Sequence, residues 1–160
     1  MANDQIPVVI LCGGQGTRLR EETEYRPKPM IDGHPIIWHI MKIYAAAGFK
    51  RFILCLGYKG QIIKEYFLNY RTLMNDFSIE LKDEANLTFL TEHDDDFSVT
   101  LADTGLTAMT GARISRIRQY IDTDTFMVTY GDGLSDLNIA DLLAFHQKSG
   151  TIGTVTAVQP

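Results

Sequence analysis

The sequence predicts an α/β domain built on a mostly parallel sheet, on three observations. Short continuous apolar runs alternate with segments of helical period. Two of those runs, residues 7–12 and 51–56, stop at glycine (Gly13-Gly14 and Gly57), as buried strands do where the chain turns. The 160 residues are 45% hydrophobic and contain no repeat or low-complexity linker, which suits one compact domain with its own core. Strands separated by helices form βαβ units, whose strands pair in parallel and bind ligands at their carboxyl ends.

Each element follows from its pattern. Residues 7–12 form a buried strand. Residues 36–47 form a helix, because Ile36, Ile40, Ile43, Tyr44 and Ala47 recur at three- and four-residue spacing before the stop at Gly48. Residues 51–56 are a second buried strand, and 61–70 a helix with Ile62, Ile63, Tyr66 and Phe67 on one face. Residues 77–81 and 98–102 alternate as strands, and the acidic stretch 92–96 between them reads as a solvated loop. Residues 113–121 are amphipathic, with Ile114, Ile117 and Ile121 inward and Arg113, Arg116 and Arg118 elsewhere. A strand at 126–130 runs into Gly131-Asp132-Gly133. Asp136 or Asn138 caps a helix reaching Gly150, and the β-branched residues 151–158 read as a last strand.

Composition narrows the function. The net charge of -5 argues against a general nucleic-acid binder, which shows a basic face. An anionic ligand must then be drawn by local cations and backbone N–H groups. Cys12 and Cys55 sit inside apolar runs and read as reduced core thiols. The apolar run near the start has no basic segment before it and is too short to span a bilayer, so a cytoplasmic protein without membrane association is expected. The four histidines show no metal-ligand spacing, and His39 and His146 read as packing or surface residues.

Three segments carry chemistry. Leu11-Cys12-Gly13-Gly14-Gln15-Gly16-Thr17-Arg18 places three glycines in four positions after a strand, so the backbone can approach a ligand and aim N–H groups at it. Arg18 adds a charge-assisted donor for phosphate. The loop matches neither the P-loop nor the dinucleotide-binding pattern, and by itself a tight turn without a ligand explains it equally well. Pro27 and Pro29 stiffen the chain around Lys28 and fix its direction, which suits a triphosphate, although a solvated lysine is the commoner case. Asp132 lies between two glycines at a strand end, where a carboxylate can reach a hard cation such as Mg²⁺; alone, it reads as an Asp-Gly turn.

Together, GGxGTRL, Pro-Lys-Pro and strand-Gly-Asp-Gly resemble the sugar-phosphate nucleotidyltransferase family in order and spacing. Within it, Pro35-Ile36-Ile37-Trp38-His39-Ile40-Met41, Gly57-Tyr58-Lys59-Gly60, Asp103-Thr104-Gly105 and Met109-Thr110-Gly111 are similar to the glucose-1-phosphate cytidylyltransferases. The resemblance implies a Rossmann-like three-layer α/β/α nucleotidyltransferase domain over residues 1–160. It further implies transfer of a cytidylyl group from CTP to α-D-glucose 1-phosphate, giving CDP-glucose and pyrophosphate for the deoxysugars of bacterial surface polysaccharides. By the same resemblance, Leu11, Gly13, Gly14, Gly16, Thr17 and Arg18 cradle the nucleotide. Lys28 neutralises its phosphates and shares the catalytic work with Arg18. Arg113 is a further substrate contact, Gly131 packs near the ligand, and Asp132 holds Mg²⁺. The family's domain continues past residue 160. The expectation is therefore a nucleotide-binding portion that lacks its acceptor-binding portion and is inactive alone, and a homo-oligomer when whole. Other nucleotidyl acceptors, or nucleotide binding without turnover, are the alternative readings.

Overall fold

A computed structural model describes residues 3–14, 30–31, 34–82, 86–93 and 95–157. In chain order its elements are β1 (Val8–Leu11), β2 (Met30–Ile31), β3 (His34–Pro35), α1 (Ile36–Ala46), β4 (Arg51–Leu56), α2 (Gly60–Leu68), α3 (Tyr70–Met74), β5 (Phe77–Glu80), β6 (Asn86–Phe89), β7 (Ser98–Asp103), α4 (Thr110–Arg116), β8 (Met127–Tyr130) and α5 (Ile139–Ser149).

The central sheet has the order β7-β4-β1-β8, and every pairing in it is parallel. Chain order runs outward from β1 through β4 to β7 and then returns to place β8 on the other side of β1. Between β1 and β8 the connections diverge, and in such sheets a ligand usually binds in the crevice beyond the carboxyl ends of the strands at that point. The register pairs Leu11 with both Cys55 and Tyr130, so the turns after β1, β4 and β8 emerge side by side.

Two cores sandwich the sheet. On one face Ile37, Ile40, Met41 and Tyr44 of α1 and Ile139 and Leu143 of α5 pack on Val8, Ile10, Phe52, Leu54 and Met127. On the other, Ile117 closes over Val9, Leu11, Ile53 and Cys55, supported by Ile114, Ile121 and Phe126. Strand residues alternate between these cores as the two-residue period requires. The result is the three-layer α/β/α arrangement expected from the sequence. Asn138 caps α5 by accepting from the N–H groups of Ala140 and Asp141 at 3.1 and 3.2 Å, and Gly150 ends it at φ 61°. Among the described residues no helix is long and apolar enough to cross a membrane.

Four local expectations need correction. Residues 151–157 pair with no strand among the described residues, and Ile152 and Val155 face solvent; β-branched composition makes a strand only where an edge is engaged. β6 was not anticipated; it forms an antiparallel hairpin with β5 in which Phe77, Ile79, Leu87 and Phe89 share one face. The amphipathic stretch 113–121 is not one element: α4 begins earlier, at Thr110, and gives way to a 3-10 turn at Arg118–Tyr120. The fourth correction concerns the acidic loop.

That loop is not wholly solvated. The Asp95 side chain is only 3% exposed and accepts from Trp38 Nε1 (2.9 Å), Lys42 Nζ (2.7 Å) and the Tyr70 hydroxyl. Three donors from α1 and α3 converge on one point and draw the carboxylate in. Burial alone raises its pKa, but the hydrogen bonds from Lys42, Tyr70 and Trp38 outweigh burial and hold it at about 2, below the ordinary 3.8. The folded value lies under the unfolded one. This carboxylate therefore adds stability above pH 3.8, and the contribution is lost as pH falls toward 2. Asp95→Asn is expected to lower stability at pH 7 by about 1–3 kcal/mol. Urea titrations across pH should also show a shallower acid decline than in the parent. Identical pH dependence in the two proteins would remove Asp95 from acid unfolding.

Candidate functional site

The turns at the strand ends are packed so closely that glycine is required. A Cβ on Gly13 would overlap the Arg113 guanidinium, and one on Gly57 would lie 2.9 Å from the Cα and carbonyl oxygen of Gly13. A Cβ on Gly131 would sit 3.1 Å from Cys12 Sγ. Backbone bonds tie these turns together past the ends of the strands. The Cys12 N–H donates to the Cys55 carbonyl (3.0 Å), Gly131 to Leu11 (3.1 Å) and Thr104 to Leu56 (3.0 Å). The turns that carry Gly13, Gly57 and Gly131 therefore lie side by side at the carboxyl end of the sheet. Asp132 is exposed in the turn directly after β8.

Arg113 lies against the turns at Gly13 and Gly57. The amphipathic pattern assigned it to the side of the helix away from the core, but it is only 5% exposed. Its long side chain leaves α4 toward carbonyl-rich strand ends, where a guanidinium finds acceptors. Nη1 donates to the Leu56 carbonyl (3.0 Å) and Thr104 Oγ1 (2.7 Å). Nη2 donates to the Gly13 carbonyl (2.9 Å) and more weakly to that of Leu106 (3.5 Å). A buried cation is tolerated only when so bonded. No carboxylate among the described residues pairs with it. The neighbouring Cys55 thiol provides no counter-charge either: burial pushes its pKa up to about 11, although the Arg113 charge pulls the other way. Among the described residues, then, nothing offsets the positive charge that Arg113 brings to the Gly13 carbonyl.

Thr104 was quoted within the Asp103-Thr104-Gly105 motif but given no role. It is fully buried, and its hydroxyl donates to the Leu56 carbonyl (2.7 Å) while accepting from Arg113. Arg116 Nη1 donates to its backbone carbonyl. The available sequence signal was a threonine before a glycine at a strand end, which distinguishes little. Gly16, Thr17, Arg18 and Lys28 lie outside the described residues.

Among the described residues there is no group of three or more His, Cys, Asp or Glu that could hold a metal ion by itself. Asp132 offers one carboxylate beside the glycine turn, which fits Mg²⁺ when substrate phosphates complete the shell. A cleft of about 620 Å³ runs along β8 between α1, α5 and residues 152–156, reaching Tyr130 and Gly133 on either side of Gly131-Asp132. Its lining includes Ile40, Tyr44, Leu143 and Val155, and among the described residues no lysine or arginine lines it, so these offer no lysine or arginine for a triphosphate.

The family described as nucleotidyl transferase matches residues 7–160. The chain belongs to that family. It is 47% identical over 155 residues to the glucose-1-phosphate cytidylyltransferase of Salmonella typhimurium, covering 95% of this chain and 60% of that protein. It is 45% identical to a probable glucose-1-phosphate cytidylyltransferase of Bacillus subtilis, covering 94% of this chain and 59% of the relative. Likeness to the mannose-1-phosphate guanylyltransferase of Mycobacterium tuberculosis is 33%, over 99% of this chain and 39% of that protein. Among solved structures, HddC from Yersinia pseudotuberculosis complexed with GMP-PN superposes with a TM-score of 0.56 at 29% identity, covering 88% of this chain and 54% of that one. The chain thus spans about 60% of the length of the cytidylyltransferases it matches.

Proposed function

We propose that this chain forms the nucleotide-binding part of a glucose-1-phosphate cytidylyltransferase, binding CTP at the crevice between β1 and β8. The observation that carries the reading is the buried Arg113 guanidinium, without a carboxylate partner among the described residues and bonded to the carbonyl of Gly13, next to the exposed Gly14. The 45–47% identity to cytidylyltransferases supports the choice of nucleotide and acceptor.

In this reaction an oxygen of the sugar phosphate attacks the α-phosphorus of CTP and pyrophosphate leaves in line. The protein's part is positioning and charge stabilisation. Backbone N–H groups at the turn after β1 orient the phosphates, and the field of Arg113 offsets their charge. Asp132 would hold Mg²⁺, which supplies charge neutralisation on the phosphate oxygens when bound. Arg18 and Lys28 retain the phosphate-clamping roles that the family resemblance implies.

A guanylyl reading has specific support in the guanylyltransferase likeness and the GMP-PN complex of the structural relative. A calorimetric panel with Mg²⁺ separates the two. CTP is expected to bind more tightly than ATP, GTP, UTP or dTTP. Equal or tighter binding of GTP would overturn the cytidylyl assignment while leaving the nucleotide site in place.

A further inference from the structure

We propose that Thr104 and Arg113 are positioning residues that fix the Gly13-Gly14 peptide with its N–H turned outward, toward a phosphate oxygen of the bound nucleotide. The inference rests on the nucleotide reading above. A trans peptide is planar, so the carbonyl of one residue and the N–H of the next point in opposite directions. Arg113 Nη2 holds the Gly13 carbonyl inward at 2.9 Å. The Gly14 N–H is therefore aimed the opposite way, away from the buried guanidinium. Gly14 is exposed, a Cβ placed on it would meet nothing within 4 Å, and among the described residues no acceptor takes its N–H.

A peptide between two glycines has little steric resistance to rotation. Its orientation has to be imposed from outside, and Arg113 imposes it. Arg113 must itself be oriented, and here the Thr104 hydroxyl is decisive. Its proton is committed to the Leu56 carbonyl at 2.7 Å, so toward Arg113 it presents a lone pair, met by Nη1 at 2.7 Å. Arg116 anchors the Thr104 carbonyl from the other side. Thr104 is fully buried and cannot touch a ligand. It acts through Arg113, and Arg113 acts through the Gly13 carbonyl.

Two variants of opposite character separate positioning from packing. Thr104→Val keeps the shape and removes the hydroxyl; Thr104→Ser keeps the hydroxyl and removes a methyl. The readouts are the Gly14 backbone amide resonance without ligand and the affinity for CTP with Mg²⁺. Thr104→Val is expected to displace the Gly14 resonance and weaken CTP by about tenfold or more, the scale of a hydrogen bond to a charged group. Thr104→Ser should keep the parent resonance and restore the affinity. A valine variant with the parent's Gly14 resonance and affinity overturns the proposal, as does a serine variant that is the more damaged of the two. If neither parent nor variants bind CTP, but the Gly14 resonance still follows the hydroxyl, the positioning holds and the nucleotide reading fails. Should Thr104→Val not fold, Arg113→Lys serves instead. An ammonium cannot reach Thr104 and Gly13 together, so the same displaced resonance is expected, and an undisplaced one contradicts the proposal.

Discussion

Arg113→Ala is expected to weaken binding of CTP with Mg²⁺ by about 1.5–3 kcal/mol, roughly ten- to a hundredfold. Two losses combine. The first is the positive charge under Gly13, which no carboxylate among the described residues offsets. The second is the tether on the Gly13 carbonyl, without which the following N–H is no longer held toward the ligand. Folding stability falls less than the number of broken hydrogen bonds implies. Gly13 O and Thr104 Oγ1 lose their donor at about 1–3 kcal/mol each, but burying a cation also costs free energy, and that cost disappears with it. The Leu56 carbonyl keeps two donors from Thr104. Calorimetry paired with thermal unfolding checks this. A variant that unfolds at lower temperature yet binds CTP with parent affinity would confine Arg113 to holding the fold.

Asp132→Asn should have the opposite profile. Asp132 is exposed and follows β8 in a turn, so its change removes no core contact and should leave stability within about ±0.5 kcal/mol. Its expected effect falls on the metal dependence of binding. In the parent, Mg²⁺ should strengthen CTP binding, because Asp132 would hold the cation and the cation would neutralise phosphate charge. In the asparagine variant that strengthening should shrink by roughly ten- to a hundredfold, the scale of lost charge-assisted contacts. Affinity in the presence of EDTA should match the parent or exceed it, since a carboxylate facing bare phosphates repels them. Equal Mg²⁺ enhancement in both proteins would exclude Asp132 as the metal ligand.

The layers of the fold were legible because periodicity reports burial. The run at 51–56 matches β4 residue for residue, and the helix expected over 36–47 differs from α1 by one residue. Features that depend on pairing or on convergence were not legible. Residues 151–157 have strand composition, but composition does not say whether an edge is engaged. Asp95 sits in an acidic run, and only the folded chain brings Trp38, Lys42 and Tyr70 to it. The site divides in the same way. The close approach of the turns at Gly13, Gly57 and Gly131 was suggested by glycines at strand ends, because backbones that pack this tightly leave no room for a side chain. Arg113 was named from resemblance as a substrate contact, yet its burial and its bond to Gly13 are long-range facts spanning one hundred residues. Thr104 had no readable role, since its importance comes entirely from the partners of its hydroxyl.

A crystal structure of this chain with CTP and Mg²⁺ tests the central claim most directly. The predicted result is a triphosphate seated against Gly13 and Gly14, with the Gly14 N–H on a phosphate oxygen and the metal about 2.0–2.1 Å from an Asp132 carboxylate oxygen. Arg113 should remain beneath the turn, still bonded to the Gly13 carbonyl. A nucleotide lodged instead in the apolar cleft along β8, or a metal bound away from Asp132, would contradict the account.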